Sequence, residues 1–527
     1  MRKFILLFFF LSFELLTAQE QNLSSLLSFD GEPYLAVNPK NPDNIISGWM
    51  RFRIDGKVWI AVRNSFDGGK NWGNIQFMPH TDTAYSSADV SIAFHKSGVA
   101  YLSYIDINWS DTSAIIYVVS TTDGGNKWSQ PVPVYSSTEL PDKPVDRPWI
   151  AVDNGETGTS GRIYLSAMTI YSYKGAHSNY VKYSDDGGMT WSGIKRVDNS
   201  EFPVGQIPIG YGALGVDRNG TLYVAYYSYE PMISPYLRLI MAKTNDVNNG
   251  FTYKSTSRVY LTPGWYTYHN GYSLTANPLD SSVAIAWTDN RYGDIDILLS
   301  KSTNSGIDWS EPVRINNDER NNGVFQDKVW TNFSLDGNLS IIWRDRRKGG
   351  KGDSASADIY AVVSTDKGNS FSDNFRLSRE SAVYSPLPCC NSFISAASHD
   401  STMLAIWSDD RSGDWDVWMS KINFKNVSSI SEKIISSEEQ IFIYPNPVQD
   451  EFTINFINVD KVESITLSDV LGNEVLKMYK SELNYNTSNN TITIGKEKLS
   501  ELCNGMYILR VIDNRNMLKK AIIQIMK

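Results

Sequence analysis

Cysteine is almost missing from this chain, with three among 527 residues. Cys389 and Cys390 are adjacent and Cys503 stands far from both, so no disulfide framework holds the protein together. The adjacent pair reads as inert thiols, with a strained vicinal disulfide as the alternative. Histidine is also scarce, five in all, and none joins a cysteine at metal-ligand spacing, which disfavours a zinc mechanism. Positive charge is in deficit: 49 Lys and Arg against 58 Asp and Glu leave a net charge of -9. No basic stripe is left to displace counterions from a nucleic acid, and an acidic surface gains nothing from anionic lipid. The chain has no glycine-rich phosphate loop and no G-x-S-x-G elbow, which argues against nucleotide and esterase chemistry. Stretches with a helical hydrophobic period are few. Beyond residue 16 no apolar run is long enough to span a bilayer.

The apolar run at the start has another reading. Met1-Arg2-Lys3 is positive, residues 4–16 are mostly apolar, and Leu16-Thr17-Ala18 precedes Gln19 as a cleavage site. Residues 1–18 are therefore predicted to be a signal peptide, and the mature chain to be exported, with no membrane span.

What the chain has in abundance is aromatic residues and glycine: 15 Trp, 29 Tyr and 36 Gly. They fall into a recurring octet. Ser184-x-Asp186-x-Gly188-x-x-Trp191 repeats as Ser65, Asp67, Gly69, Trp72 and as Thr121, Asp123, Gly125, Trp128. Single substitutions give Ser302, Asn304, Gly306, Trp309 and Ser364, Asp366, Gly368, Phe371, and a degenerate copy is Thr244, Asp246, Asn248, Phe251. Successive copies start about sixty residues apart, so one structural unit is repeated. The physics is that of a self-fastening turn. A hydroxyl and a carboxylate accept backbone N–H bonds, glycine supplies positive φ, and the terminal aromatic folds onto the sheet. This spacing is that of the Asp box, or BNR repeat, so the chain resembles the sialidase superfamily of β-propellers. The resemblance implies that the octets are structural and lie on the face away from any active site.

Each unit holds an apolar strand, a short turn, a second strand, a longer loop, a third strand ending at the octet, and a closing fourth strand. Units start near Glu32, Ser87, Arg147, Tyr211, Tyr272, Asp327 and Ser392. The last lacks its outermost strand, which residues 22–29 are expected to supply, so that no sheet edge stays open. The prediction is an all-β chain: a seven-bladed propeller over residues 19–424, with six blades as the alternative. In the late units Trp287-x-Asp289-x-Arg291 is matched by Trp343-x-Asp345-x-Arg347 and Trp407-x-Asp409-x-Arg411. An arginine between aspartates staples a hairpin; calcium ligation and substrate-binding arginines are the other readings. No other cofactor is expected.

Residues 425–440 turn to Ser, Glu, Lys and Ile without period and read as a linker. Beyond it, Tyr444-Pro445-Asn446-Pro447, Val470-Leu471-Gly472 and Asn504-Gly505-Met506-Tyr507 follow in the order that resembles the C-terminal sorting domain of type IX secretion cargo. That resemblance covers residues 441–527 and implies a small β-sandwich, export to the surface or medium, and the type IX machinery as a partner. An accessory binding sandwich is the alternative.

Ligands of propellers sit at the channel mouth, on loops joining units and on loops between second and third strands. Residues there that do not repeat are Glu32, Arg51, Arg53, Asp106, Asp146, Arg147, Glu230, His269, Asp327 and Lys328, with Tyr211 and Tyr272 nearby. The family resemblance implies an arginine clamp for a sugar carboxylate, an aspartate acid/base and a tyrosine nucleophile activated by a glutamate. It makes Asp106, Arg147, Glu230, Tyr211 and Tyr272 the candidate catalytic set. Glu32, Arg51, Arg53, Asp146, His269, Arg291, Asp327, Lys328 and Arg411 are the candidate ligand contacts. The family's Arg-Ile-Pro mark is absent where the first unit opens, at Gly31-Glu32-Pro33-Tyr34; Asp146-Arg147-Pro148-Trp149 is the nearest analogue. The expected partner is an extracellular glycan or glycoprotein. Hydrolysis of the glycan and binding without turnover both stay open.

Overall fold

Strands dominate because the units are short, apolar and punctuated by glycine turns. The computed structural model describes residues 19–24, 29–140, 145–169, 178–198, 207–229, 236–261, 271–382 and 393–424, then 442–444, 448–455, 462–469, 473–486, 491–500, 502–513 and 518–526. The predicted signal peptide, the predicted linker, Cys389 and Cys390 lie outside the described residues. The chain divides into two compact units, Met1–Glu432 and Lys433–Lys527. Among the described residues no helix is long and apolar enough to cross a membrane.

The first unit contains seven four-stranded antiparallel sheets. Their first strands are Asp30–Val37, Ser86–Phe94, Val145–Val152, Ile207–Val216, Tyr272–Ala276, Gln326–Phe333 and Ser395–His399. Each first strand touches the next in chain order, and Ser395–His399 returns to Asp30–Val37, the radial arrangement of a β-propeller. Second strands are sandwiched between neighbouring sheets, so they read as unbroken apolar runs: Leu222–Tyr229 buries every residue but the last. Each large side chain so buried contributes about 1.5–3 kcal/mol.

Hydroxyls tie the diverging first strands together. Ser91 Oγ accepts from the Ile150 amide at 2.9 Å, Ser273 Oγ from that of Thr331 at 3.0 Å, and Ser395 Oγ from that of Leu35 at 3.0 Å. The seventh sheet takes its outer strand from Gln19–Asn22, paired with Asp416–Asn423. That corrects the expected closing segment, 22–29, by several residues. Beyond Asn22 the Leu23 amide still donates to the Val417 carbonyl at 2.8 Å while its side chain is buried in the core, and Ser24 Oγ is anchored on Asp416 at 2.8 Å.

The octets fold as their chemistry requires. In the third sheet Ser184 Oγ accepts from the Gly188 amide at 2.9 Å and donates to Asp186 Oδ1 at 2.8 Å. Asp186 Oδ1 accepts from the Met189 and Thr190 amides at 3.0 and 2.9 Å. Gly188 has φ 86°, which a Cβ would oppose. In the degenerate copy Asn248 replaces the glycine, and the turn closes as a short 3-10 helix, Val247–Asn249, capped by Asp246.

The repeated Trp-x-Asp-x-Arg hairpins share one geometry. Trp287, Trp343 and Trp407 donate Nε1 to Asp289, Asp345 and Asp409 at 3.0, 2.8 and 2.8 Å. Arg291, Arg347 and Arg411 grip the same carboxylates through Nε and Nη2.

The second unit is a two-sheet sandwich. One sheet contains Phe442–Tyr444, Phe452–Asn455, Thr491–Ile494 and Asn484–Asn486; the other contains Glu474–Tyr479, Val462–Ser468, Gly505–Asp513 and Leu518–Ile525. Phe452, Ile454 and Ile492 from the first meet Ile465, Leu509 and Ile523 from the second in one core.

Ser184→Ala leaves the buried Gly188 amide unsatisfied and is expected to lower unfolding stability by about 1–3 kcal/mol in chemical denaturation. Its octet also makes a pH statement. Hydrogen bonds from Thr190 and Asn71 hold the Asp186 and Asp67 carboxyls down to about 2. A depressed folded-state value contributes stability above the unfolded value, near 4, that is lost as pH falls toward about 2. Asp186→Asn should blunt that acid-side loss in pH-dependent melting; an unchanged profile would refute the coupling.

Candidate functional site

Five first strands carry a bulge close to their start, between Gly31 and Tyr34, Ala88 and Ser91, Asp146 and Trp149, Ile209 and Ala213, and Asp327 and Trp330. In four of them a charged residue takes positive φ: Glu32 at 51°, Asp89 at 49°, Arg147 at 49° and Lys328 at 51°. This backbone costs about 1–2 kcal/mol at each non-glycine residue, so the surrounding structure must impose it. Pro33 and Pro148 follow two of these residues, where the bulge removes the need for a ladder N–H.

Beneath this ring the channel is filled by aromatic side chains. Tyr34 packs edge-on against Trp149 and Trp330, with centroids 5.7 and 5.3 Å away. Trp149 stacks on Tyr211 at 5.0 Å, and Tyr211 on Tyr272 at 4.9 Å. A small recess remains above the plug, lined by Glu32, Asp89, Arg147, Trp149 and Phe393.

The charges around the recess are interdependent. Burial, then the neighbouring Asp89 charge, pushes the Asp146 carboxyl well above the usual carboxylate range. Burial opposes ionisation of Asp89 too, but the Arg147 guanidinium and a hydrogen bond from Asp146 bring it below that range. Asp146 therefore retains its proton and donates it to ionised Asp89. Arg147 holds its proton more firmly than usual: burial works against its charge, and Asp89, Glu32 and Asp146 outweigh it. Its Cζ lies 4.7 Å from the Phe393 ring centroid, and its buried Nη1 has no hydrogen-bond partner. Next to this group, Asp327 stays ionised despite its burial because Arg344 grips it at 2.6 and 2.5 Å and Arg346 approaches to 3.2 Å. Burial, then Arg344, drives the Lys328 ammonium well below the ordinary lysine range.

Glu32, Asp146, Arg147, Asp327 and Lys328 thus come together as the sequence suggested. Asp89 was missed. It occupies in the second unit the bulge position that Glu32 and Arg147 occupy in theirs, directly before an apolar residue, and aligning the units on that position would have found it.

Other expectations need correction. Asp106 is fully buried and spent on Ser87 Oγ at 2.7 Å, His80 Nδ1 at 3.2 Å and the Thr81 amide at 3.2 Å, so it pins a loop and is not an exposed acid. Tyr211 donates to the Tyr272 carbonyl at 2.6 Å and Tyr272 donates to that of Tyr211. Burial pushes both phenols up, which makes them poor nucleophiles. Arg51 closes its fork on Asp30 at 2.6 and 2.7 Å, and Arg291 and Arg411 are filled by their own staples. None of the three offers a free fork to a ligand carboxylate. Arg53 lies over the Trp59 and Phe77 rings, at 5.0 and 4.6 Å, on the first sheet's hairpin and away from the cluster. Glu230 and His269 lie outside the described residues. Among the described residues no group of three or more His, Cys, Asp or Glu is arranged to hold a metal ion.

Residues 442–524 match the family of secretion system C-terminal sorting domains. The tail is that of type IX cargo and marks the chain for export to the cell surface or beyond. No curated protein matches the chain. Among solved structures, a protein of unknown function from Dyadobacter fermentans is 13% identical, with TM-score 0.41, covering 77% of this chain and 99% of its own. An α-L-arabinofuranosidase of Fusarium graminearum with arabinobiose is 13% identical, with TM-score 0.43, over 77% and 98%. The intramolecular trans-sialidase of Ruminococcus gnavus with oseltamivir carboxylate is 15% identical, with TM-score 0.38, over 76% and 95%.

Arg147→Ala strips the countercharge from buried Asp89 and is expected to cost about 3–5 kcal/mol, read by chemical denaturation. Asp146 has a raised folded-state value, so its contribution is complete below the unfolded value and lost as pH rises through the folded one. Asp146→Asn keeps the neutral form throughout, so its stability relative to the parent should improve over the interval above about pH 4. A constant difference over that interval would exclude the shared proton.

Proposed function

We propose that the seven sheets are the blades of one closed propeller that binds an extracellular glycan or glycoprotein at its channel mouth. The observation that carries this reading is the convergence of Glu32, Asp89 and Arg147 on one small recess above an aromatic floor, with Asp146 hydrogen-bonded to Asp89. Carboxyls that accept from hydroxyls, a guanidinium donor and an apolar base suit a sugar ring, which presents both polar edges and an apolar face. The sorting tail supports an extracellular ligand, with residues 1–18 as the leader across the inner membrane and the type IX machinery as the route across the outer one.

Hydrolysis is the second reading, favoured by one observation: Asp146 is a carboxylic acid whose proton persists above the usual range. A carboxyl of this kind can protonate a leaving glycosidic oxygen. With Tyr211 and Tyr272 committed to backbone carbonyls, the acid/base work in this reading falls to Asp146 and Asp89.

The test is a panel of aryl glycosides alongside a glycan array, both run on the full exported chain. Binding without release of the aryl group makes the protein a lectin-like propeller. Where release occurs, Asp146→Asn should lower it about 100- to 10,000-fold while leaving binding within a few-fold. Neither binding nor release on any glycan would refute the reading.

A further inference from the structure

The charge pairing around the mouth carries information about which sugars fit. Every arginine between residues 19 and 424 lies within the described residues, and apart from Arg53 and Arg320, which lie over the Trp59 and Tyr292 rings, those around the recess are already engaged. Arg51 is clamped by Asp30, Arg344 and Arg346 converge on Asp327, and Arg291, Arg347 and Arg411 close their hairpin staples. Among the described residues only Arg147 brings a buried, unsatisfied donor to the recess, its Nη1, and the Phe393 ring lies beneath its Cζ.

We propose that this mouth receives an uncharged sugar residue, one hydroxyl accepting from Arg147 Nη1 while the same or an adjacent hydroxyl donates to the Asp89 carboxylate. The inference rests on the glycan reading above and narrows it to neutral saccharides. A hydroxyl is both donor and acceptor, so it satisfies the orphan nitrogen and the facing carboxylate at once. A sugar carboxylate cannot. It would have to sit beside Glu32 and Asp89 with a single guanidinium whose charge Asp89 already balances, and the like charges would repel. An arginine clamp for an acidic sugar needs several free forks converging on one point, and here the neighbouring forks are filled by aspartates.

Matched saccharide pairs provide the experiment: lactose against sialyllactose, and methyl-esterified against free oligogalacturonate, titrated onto the full chain by calorimetry. The neutral member of a pair is expected to bind at least about tenfold more tightly than its acidic counterpart. Asp89→Asn, which removes the opposing charge, should shift the ratio toward the acidic member by a similar factor, with Glu32→Gln as the second variant should Asp89→Asn fail to fold. An acidic member that binds as well as or better than the neutral one overturns this inference and leaves the glycan reading standing. If neither these pairs nor a wider glycan array shows any binding, the glycan reading falls and this inference falls with it.

Discussion

The innermost strand of each sheet has one edge with no partner strand, and the rest of the structure depends on how that edge is satisfied. A buried N–H or C=O without a partner costs as much as a lost hydrogen bond, so such edges, repeated from sheet to sheet, need a systematic answer. This chain supplies hydroxyls and aromatic donors from the next sheet: Ser91, Ser273 and Ser395 each take an amide, and Tyr211 and Trp330 each give a proton to a carbonyl. Sheet is thereby tied to sheet by side chain to backbone bonds, which fix the angular step. The aromatic plug closes the axis beneath the mouth for the same reason, since an open passage there would expose those edges to water without enough polar groups to order it.

Closure of the ring uses different chemistry. The terminal sheet borrows Gln19–Asn22, and Glu20 reaches Arg411 at 2.8 Å, so the beginning and end of the propeller are joined by both a ladder and an ion pair. Burial raises the Glu20 carboxyl in spite of Arg411, a sign that this pair is held by the geometry of the closure more than by its own attraction.

The repeat and its turn chemistry were legible in the sequence because they depend on local rules. An octet needs a hydroxyl, a carboxylate and a glycine at fixed offsets, and those offsets survive translation into hydrogen bonds without help from the fold. Tyr211, Tyr272 and Asp106 were misjudged for the opposite reason. Their sequence positions are right for the mouth, but a strand alternates its side chains, and a single bulge decides which of two neighbours faces the axis. Spacing alone cannot locate a one-residue bulge, so it named Tyr211 and Tyr272, which face each other's backbone, and passed over Asp89, which faces the recess. Arg51 illustrates a further limit: its partner Asp30 comes from another strand, and nothing local announces that the fork is taken.

The bulges themselves separate architecture from chemistry. The staple of Trp, Asp and Arg recurs with the same residues in three sheets, as a structural device should. The positive-φ position also recurs, at nearly the same angle in four sheets, yet its side chains are glutamate, aspartate, arginine and lysine. The backbone geometry is therefore a property of the repeat, whereas the identities are not. Asparagine or glycine would adopt this conformation at lower cost, and an apolar cluster would close the channel without desolvating charge. Retaining four different charged residues at four strained positions opposes stability at every step, and it brings a balanced set of donors and acceptors to a single opening. The proposed recognition of a ligand at that opening rests on this pairing of strain with diversity.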